Sequence, residues 1–269
     1  MAETFAHFGG IDFSGAKEPL SNLWTALGHE EEGRLVVDSL RPHAFRVDLG
    51  AFVTDGWRAV AGAGGSDSIL WGAAFPFGLP AAAADHICGA PASWPALIAW
   101  AADRPPEEVR DAVPDELRTP RATDTGGALA PLDVRSFKQS VEGMRWLHQL
   151  RETAEISVRP QAPRADATVT LVEIYPSATV HELGLPRRRA PSRPGEVRAR
   201  AAAMRTFLRF SDPTHESIAM VIEDAWDATI ACLTAWLARD DLDQPFRTTP
   251  LPPDRVALEG WIYRAPSTL

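Results

Sequence analysis

Three consecutive strand-like segments open the chain, and their order restricts the fold more than anything downstream. GGIDFSG (9–15) is a short apolar run that closes on Asp12 and a glycine-containing turn. NLWTALGHEE (22–31) and GRLVVDSLRP (33–42) alternate apolar and polar residues on either side of Glu31, Glu32 and Gly33. They therefore read as antiparallel neighbours of the first strand. In DLGAFVTDGWRAVAGA (48–63), Leu49, Phe52, Val53, Trp57 and Val60 fall at helical spacing behind an Asp48 N-cap, which predicts an amphipathic helix. SILWGAAFPFGLP (68–80) then reads as a buried strand running into a Pro-bounded loop.

Residues 81–165 are rich in Ala, Pro and charge, and are expected to form a helical insertion. Its helices centre on SWPALIAWAA and SFKQSVEGMRWLHQLRETA, with RTPRATDTGG as an irregular loop between them. TVTLVEIYPSATV returns to β-branched strand composition and is stopped by Pro176, just after Glu173 and Tyr175. PSATVHELG starts a helix, a second runs from about Glu196 to Phe210, and a third carries Asp224 and Asp227. VALEGWIYRAP closes the chain as a short strand or edge segment. Three antiparallel strands, a helix, a strand, a helical insertion, a strand and further helices form the ribonuclease H-like arrangement. The expectation is one α/β domain over 1–269 with a mixed sheet, its first strand central and the fourth and fifth strands parallel on the far side.

With 269 residues, 45% of them hydrophobic, the chain has ample material for a core. No run approaches the ~20 apolar residues that span a bilayer, and MAETFAHF lacks the character of a secretory signal, so a cytoplasmic protein without a membrane partner is expected. Cys88 and Cys232 have no CxxC spacing and read as small buried apolar residues rather than a zinc ribbon or disulfide. A net charge of −9 weighs against a surface built for nonspecific nucleic-acid binding. Against that balance, Arg187, Arg188, Arg189, Arg193, Arg198, Arg200, Arg205 and Arg209 crowd one stretch, which could grip phosphates or simply be a solvated helix face.

Four acids carry the chemical signal. Asp12 closes an apolar strand, Glu173 sits inside LVEIY, and Asp224 and Asp227 share one side of a helix, being three residues apart. Carboxylates drawn from strand ends and a facing helix suit Mg²⁺ or Mn²⁺, which prefer oxygen ligands. Each acid also has a plainer reading: Asp12 as a turn former, and the helical pair as charges favoured by the macrodipole. A buried Glu173 must find a cation, an arginine or solvent, and Arg121 and Lys138 are its possible salt-bridge partners. Ala225, Ala228, Ala231 and Ala235 would let the last helix approach the sheet closely.

GGIDFSG, SILWGAAFPFGLP, RATD (121–124), VEIYPSA, EDAWDATIACLTA and EGWIY occur in the order found in the domain-of-unknown-function family 429, predicted nucleases with a ribonuclease H-like fold. The chain resembles that family from Gly9 to Tyr263. The resemblance implies a metal-dependent nuclease acting on the phosphodiester bonds of nucleic acid, with metal-binding acids at Asp12, Glu173, Asp224 and Asp227. Two ions would activate water and stabilise the leaving oxygen. Arg121, Lys138, Arg187 and Arg188 are candidates for seating the substrate. The chain departs from the family at the end of the fourth strand, where members carry an acid and this sequence has Ala74. That departure leaves a catalytically degenerate binding module as an alternative. GGIDFSG also resembles the first phosphate loop of actin-like and sugar-kinase ATPases, although no second phosphate motif is evident.

Overall fold

A computed structural model describes residues 4–16, 22–186 and 194–266. The chain opens with β1 (His7–Asp12), β2 (Leu23–Glu31) and β3 (Arg34–His43), followed by α1 (Arg46–Ala51), a π-helical turn (Phe52–Gly56) and α2 (Trp57–Ala61). After β4 (Ile69–Ala73) come α3 (Ala81–Cys88), α4 (Trp94–Ala102), α5 (Pro106–Asp111) and α6 (Phe137–Thr153). Then follow β5 (Ile156–Arg159), β6 (Val169–Ile174), α7 (Pro176–Glu182), α8 (Pro194–Met204), β7 (Leu208–Phe210) and α9 (Pro213–Val221). The chain ends with α10 (Glu223–Ala238), α11 (Gln244–Thr248), α12 (Pro253–Glu259) and β8 (Ile262–Tyr263).

The strands form one mixed sheet in the order β5-β6-β4-β1-β2-β3-β7, with β8 also on β6. β1 is flanked by β2 antiparallel and β4 parallel, and β6 continues the parallel half. The expected antiparallel-then-parallel layout, with β1 between the two halves, is thus present. No helix among the described residues is long and apolar enough to cross a membrane.

Each face of the sheet has its own core. On one face, Ile11, Trp71, Ala73 and Leu171 pack with α1, α2 and the helices α3 to α6. On the other, Phe8, Leu70, Val172 and Ile174 pack with α10, which is buried from Ala225 to Ala238. Gly10 and Gly72 explain how α10 comes so close. They are register partners on β1 and β4, and a Cβ on Gly10 would lie 2.0 Å from the Ala228 carbonyl oxygen. A Cβ on Gly72 would lie 2.6 Å from that of Ala231. The alanines of α10 thus meet a glycine trough, and the expected close approach occurs.

Several boundaries differ from the sequence reading. The first helix begins at Arg46 behind Phe45, with no side-chain cap, so Asp48 lies within its first turn instead of capping it. Leu49, Phe52, Val53 and Trp57 are buried as expected, but Val60 is 42% exposed. The π turn is wider than an α turn and shifts the helical phase, rotating Val60 off the buried face. The helix expected to reach Phe210 stops at Met204, and Leu208–Phe210 becomes an edge strand paired with β3. Seven of the nine tryptophans are buried, as their spacing implied. Cys232 is buried and donates its S–H to the Phe8 carbonyl at 3.3 Å, whereas Cys88 is only partly buried.

Candidate functional site at the strand ends

Side chains alternate across a strand, and that parity separates two of the predicted acids. Phe8 and Gly10 face α10, and Asp12 follows them at the same parity on β1. Val169 and Leu171 face the opposite core, and Glu173 follows them on β6. Register agrees, because Ile11, Ala73 and Glu173 stand side by side across three parallel strands, one position before Asp12 and Ala74. Asp12 and Ala74 are therefore directed to the α10 side, where Asp224 and Asp227 lie in the first two turns of that helix. Glu173 is directed to the other side.

There Glu173 meets Arg121. Nη1 of Arg121 donates to Oε2 at 2.8 Å, Nη2 donates to Oε1, and the backbone N–H of Phe77 donates to Oε2 at 2.9 Å. The same guanidinium holds Asp124 through Nε (3.2 Å) and Nη2 (2.7 Å), and Nη1 also reaches the Glu259 carbonyl at 2.9 Å. All five guanidinium donors are thereby used. The Glu259 carboxylate accepts from the backbone N–H groups of Ala81 and Ala122, tying the end of α12 into the same knot. Side-chain exposure is 0% for Arg121, 1% for Asp124 and 2% for Glu173. Burial alone would draw the Arg121 proton off, but Glu173 and Asp124 outweigh it and hold its pKa above the usual arginine value. Burial likewise pushes the Glu173 carboxyl up, yet three donors on its two oxygens, two of them from a guanidinium, require the ionised form.

Where the two faces meet at the strand ends, a cavity of about 260 Å³ opens, lined among others by Asp12, Ala74, Gln139, Glu173, Tyr175 and Asp227. A second hollow of about 310 Å³ shares Asp12 and Gln139 and adds Ser14, Lys138 and Asp224. Strand C-terminal ends of an open parallel half-sheet are where α/β proteins bind ligands. Asp12 and Asp227 therefore line one cavity, and Asp12 and Asp224 the adjoining one.

No family model, curated protein or solved structure matches this chain. The site is thus argued from its own geometry. Among the described residues no group of three or more His, Cys, Asp or Glu side chains is arranged to hold a metal ion. The reason is visible in the donor set: both Glu173 oxygens are closed by Arg121 and Phe77, and the position beside Asp12 on β4 carries only the Ala74 methyl. The residues present do not fit a two-ion carboxylate site.

Of the expected substrate contacts, Arg121 is internal to the knot. Lys138 is 57% exposed and pairs with Glu107 at 2.9 Å. Arg187 and Arg188 lie outside the described residues, as do Arg189 and Arg193. The remaining arginines of that stretch divide. Arg200 is buried, with its guanidinium 4.3 Å from the Trp226 ring centroid and donating to the Met220 carbonyl. Burial holds its pKa below the usual arginine value, against the opposing pull of Asp227 and Glu223. Arg205 pairs with Glu216 and Arg209 with Glu31.

Sequence reasoning missed Asp124, Glu259 and Gln139. The first two stand inside the quoted segments RATD and EGWIY, which was the available signal. Gln139 gave none. Its Nε2 donates to the carbonyls of Phe13 (2.6 Å) and Ala74 (2.8 Å), clasping the ends of β1 and β4 together.

Proposed function

We propose that this protein is a ribonuclease H-like binding module, which holds a ligand in the strand-end cavity and does not cleave phosphodiesters by metal-assisted hydrolysis. One observation carries the reading: the Glu173 carboxylate is closed by Arg121 on the face away from α10. Ala74 removes a second donor on the α10 face itself, which leaves Asp12, Asp224 and Asp227. The sheet order supports the ribonuclease H-like assignment, since β3-β2-β1-β4-β6 repeats the antiparallel-then-parallel order expected of that arrangement.

Calorimetry with Mg²⁺ and Mn²⁺, run beside cleavage assays on single- and double-stranded DNA and RNA, tests this directly. The expected result is neither saturable metal binding nor metal-dependent cleavage. Ala74→Asp should behave differently, because it sets a carboxylate beside Asp12 on the α10 side. That variant should lose stability in chelator and regain it with Mn²⁺, by ~2.7 kcal/mol at a hundredfold excess over Kd. Mn²⁺-dependent cleavage by the unmodified chain, abolished by Asp12→Asn, would restore the nuclease reading.

A further inference from the structure

We propose that residues 125–130 form a movable strap across the strand-end cavity, latched by the Tyr175 hydroxyl and the Arg264 guanidinium. The segment runs between two fixed points. Asp124, just before it, is held by Arg121 in the buried knot. Pro131 and Leu132, just after it, are buried, and the Ala130 carbonyl accepts from the Ser136 hydroxyl at 2.7 Å and from the Asp133 N–H at 3.0 Å. Between these points no residue is buried: Thr125, Gly126 and Gly127 are exposed, and Ala128, Leu129 and Ala130 are half-buried. Ala128 and Leu129 nevertheless line the cavity. A stretch that buries so little apolar surface opens at small cost compared with the sheet beside it.

Two glycines let the stretch swing. Gly126 and Gly127 have φ of 67° and 92°, a region open to glycine and strained for other residues, so the chain turns there without side-chain restraint. The bonds that hold the strap down come from fixed elements. Tyr175, between β6 and α7, donates its hydroxyl to the Gly127 carbonyl at 3.2 Å. Arg264, directly after β8, donates through Nη2 to the Thr125 carbonyl at 2.9 Å and to its hydroxyl at 2.7 Å. The guanidinium lies against Gly126, where a Cβ would come within 3.2 Å of Nη1, and Nη1 also reaches Glu182 on α7 at 3.3 Å. These latch bonds are open to water, which competes for each donor, so breaking one shifts the opening equilibrium by about two- to tenfold. The knot at the foot of the strap is the opposite case. Its guanidinium is fully buried, so the strap lifts and widens the cavity while Arg121 keeps its hold on Glu173.

The test is thiol labelling with 4,4′-dithiodipyridine, a neutral disulfide of two aromatic rings, and it needs no ligand for the cavity. Ala74→Cys places a thiol in the lining, in a chain where Cys88→Ser removes the partly buried native thiol; the buried Cys232 stays as the reporter of unfolding. Labelling at position 74 should be slower than in the urea-unfolded chain and faster than at Cys232. It should change little in low urea, because lifting the strap exposes little surface. Tyr175→Phe and Arg264→Met should each raise the rate at position 74 about two- to tenfold, with Cys232 remaining far slower. Ser177→Cys, which exchanges a hydroxyl for a thiol on the same lining, serves where Ala74→Cys fails to fold. Labelling in the unvaried strap as fast as in the unfolded chain would mean that nothing covers the cavity, and would overturn the proposal. So would a rate that climbs with urea in step with Cys232, which describes a fixed wall, or a rate left unchanged by Tyr175→Phe. Any of these leaves the binding-module reading standing, whereas metal-dependent cleavage ends that reading and leaves the strap.

Discussion

Replacing Arg121 by methionine probes the knot at its centre. The change keeps most of the side-chain volume and removes the cation, leaving the Glu173 and Asp124 carboxylates 2% and 1% exposed with no positive charge between them. Stripping one partner from a buried ion pair costs about 3–5 kcal/mol. In a domain of this size that is a fall in Tm of ~6–20 °C. The loss should depend on pH in a defined direction. Without Arg121, burial and the Asp124 charge act on Glu173 against the Phe77 N–H alone and raise its native pKa above the unfolded value of about 4.3. Between those two values the native state holds a proton that the unfolded chain has released. Stability of the variant therefore falls as pH rises, by up to ~1.4 kcal/mol per unit for one proton. Urea denaturation at pH 5 and pH 8 reads both effects: a deficit at pH 8, and a smaller one at pH 5. Adding Glu173→Gln to the variant should recover part of the loss at pH 8, since one buried charge disappears. A deficit below ~1 kcal/mol at pH 8, or one that does not shrink in acid, would refute the buried-knot account.

Three further outcomes follow from the packing. Gly10→Ala should cost at least ~1–3 kcal/mol, because its Cβ meets helix backbone that cannot rotate away; urea unfolding with an unchanged m-value would check it. Burial, with the Arg41 charge, pulls the His43 pKa down to about 4, so its ring stays neutral in the native state while the unfolded chain protonates near 6.5. Stability from this group is present above pH 6.5 and lost as pH falls toward 4; titration of the ring by NMR and unfolding curves over that window would show it. Tyr263→Phe removes the hydroxyl that donates to the Leu242 carbonyl at 2.9 Å and should cost about 1 kcal/mol in thermal or urea unfolding.

The strand order was legible because each element carries its own period. β2 and β3 alternate on either side of a turn where Glu32 and Gly33 both take positive φ, β1 and β4 are short apolar runs, and β6 is β-branched up to the proline that stops it. β5 and β7 were illegible for the opposite reason. Four and three residues carry no period, and each is a strand only because the edge of a neighbour, β6 or β3, completes it. The phase of Val60 was likewise hidden, since nothing local in FVTDG announces a π turn.

The candidate acids were found by type, but their grouping depended on parity, and that much could be read. In HFGGID the acid stands an even number of places from Phe8, and in VTLVEI it stands an even number from Leu171; what the sequence does not say is that these two apolar residues face different cores. Once the glycine pair Gly10 and Gly72 is seen to receive α10, the face of Asp12 follows, and Ala74 falls on it with Asp12. The missing acid and the misplaced one then have a single consequence. A carboxylate at position 74 would have faced α10 with Asp12, whereas Glu173 could reach that side only by abandoning Arg121 and leaving a fully buried guanidinium with Asp124 as its one remaining carboxylate. Building a metal site on this scaffold therefore runs through residue 74, because the knot around Glu173 is part of what joins β6, the loop after α5 and the end of α12.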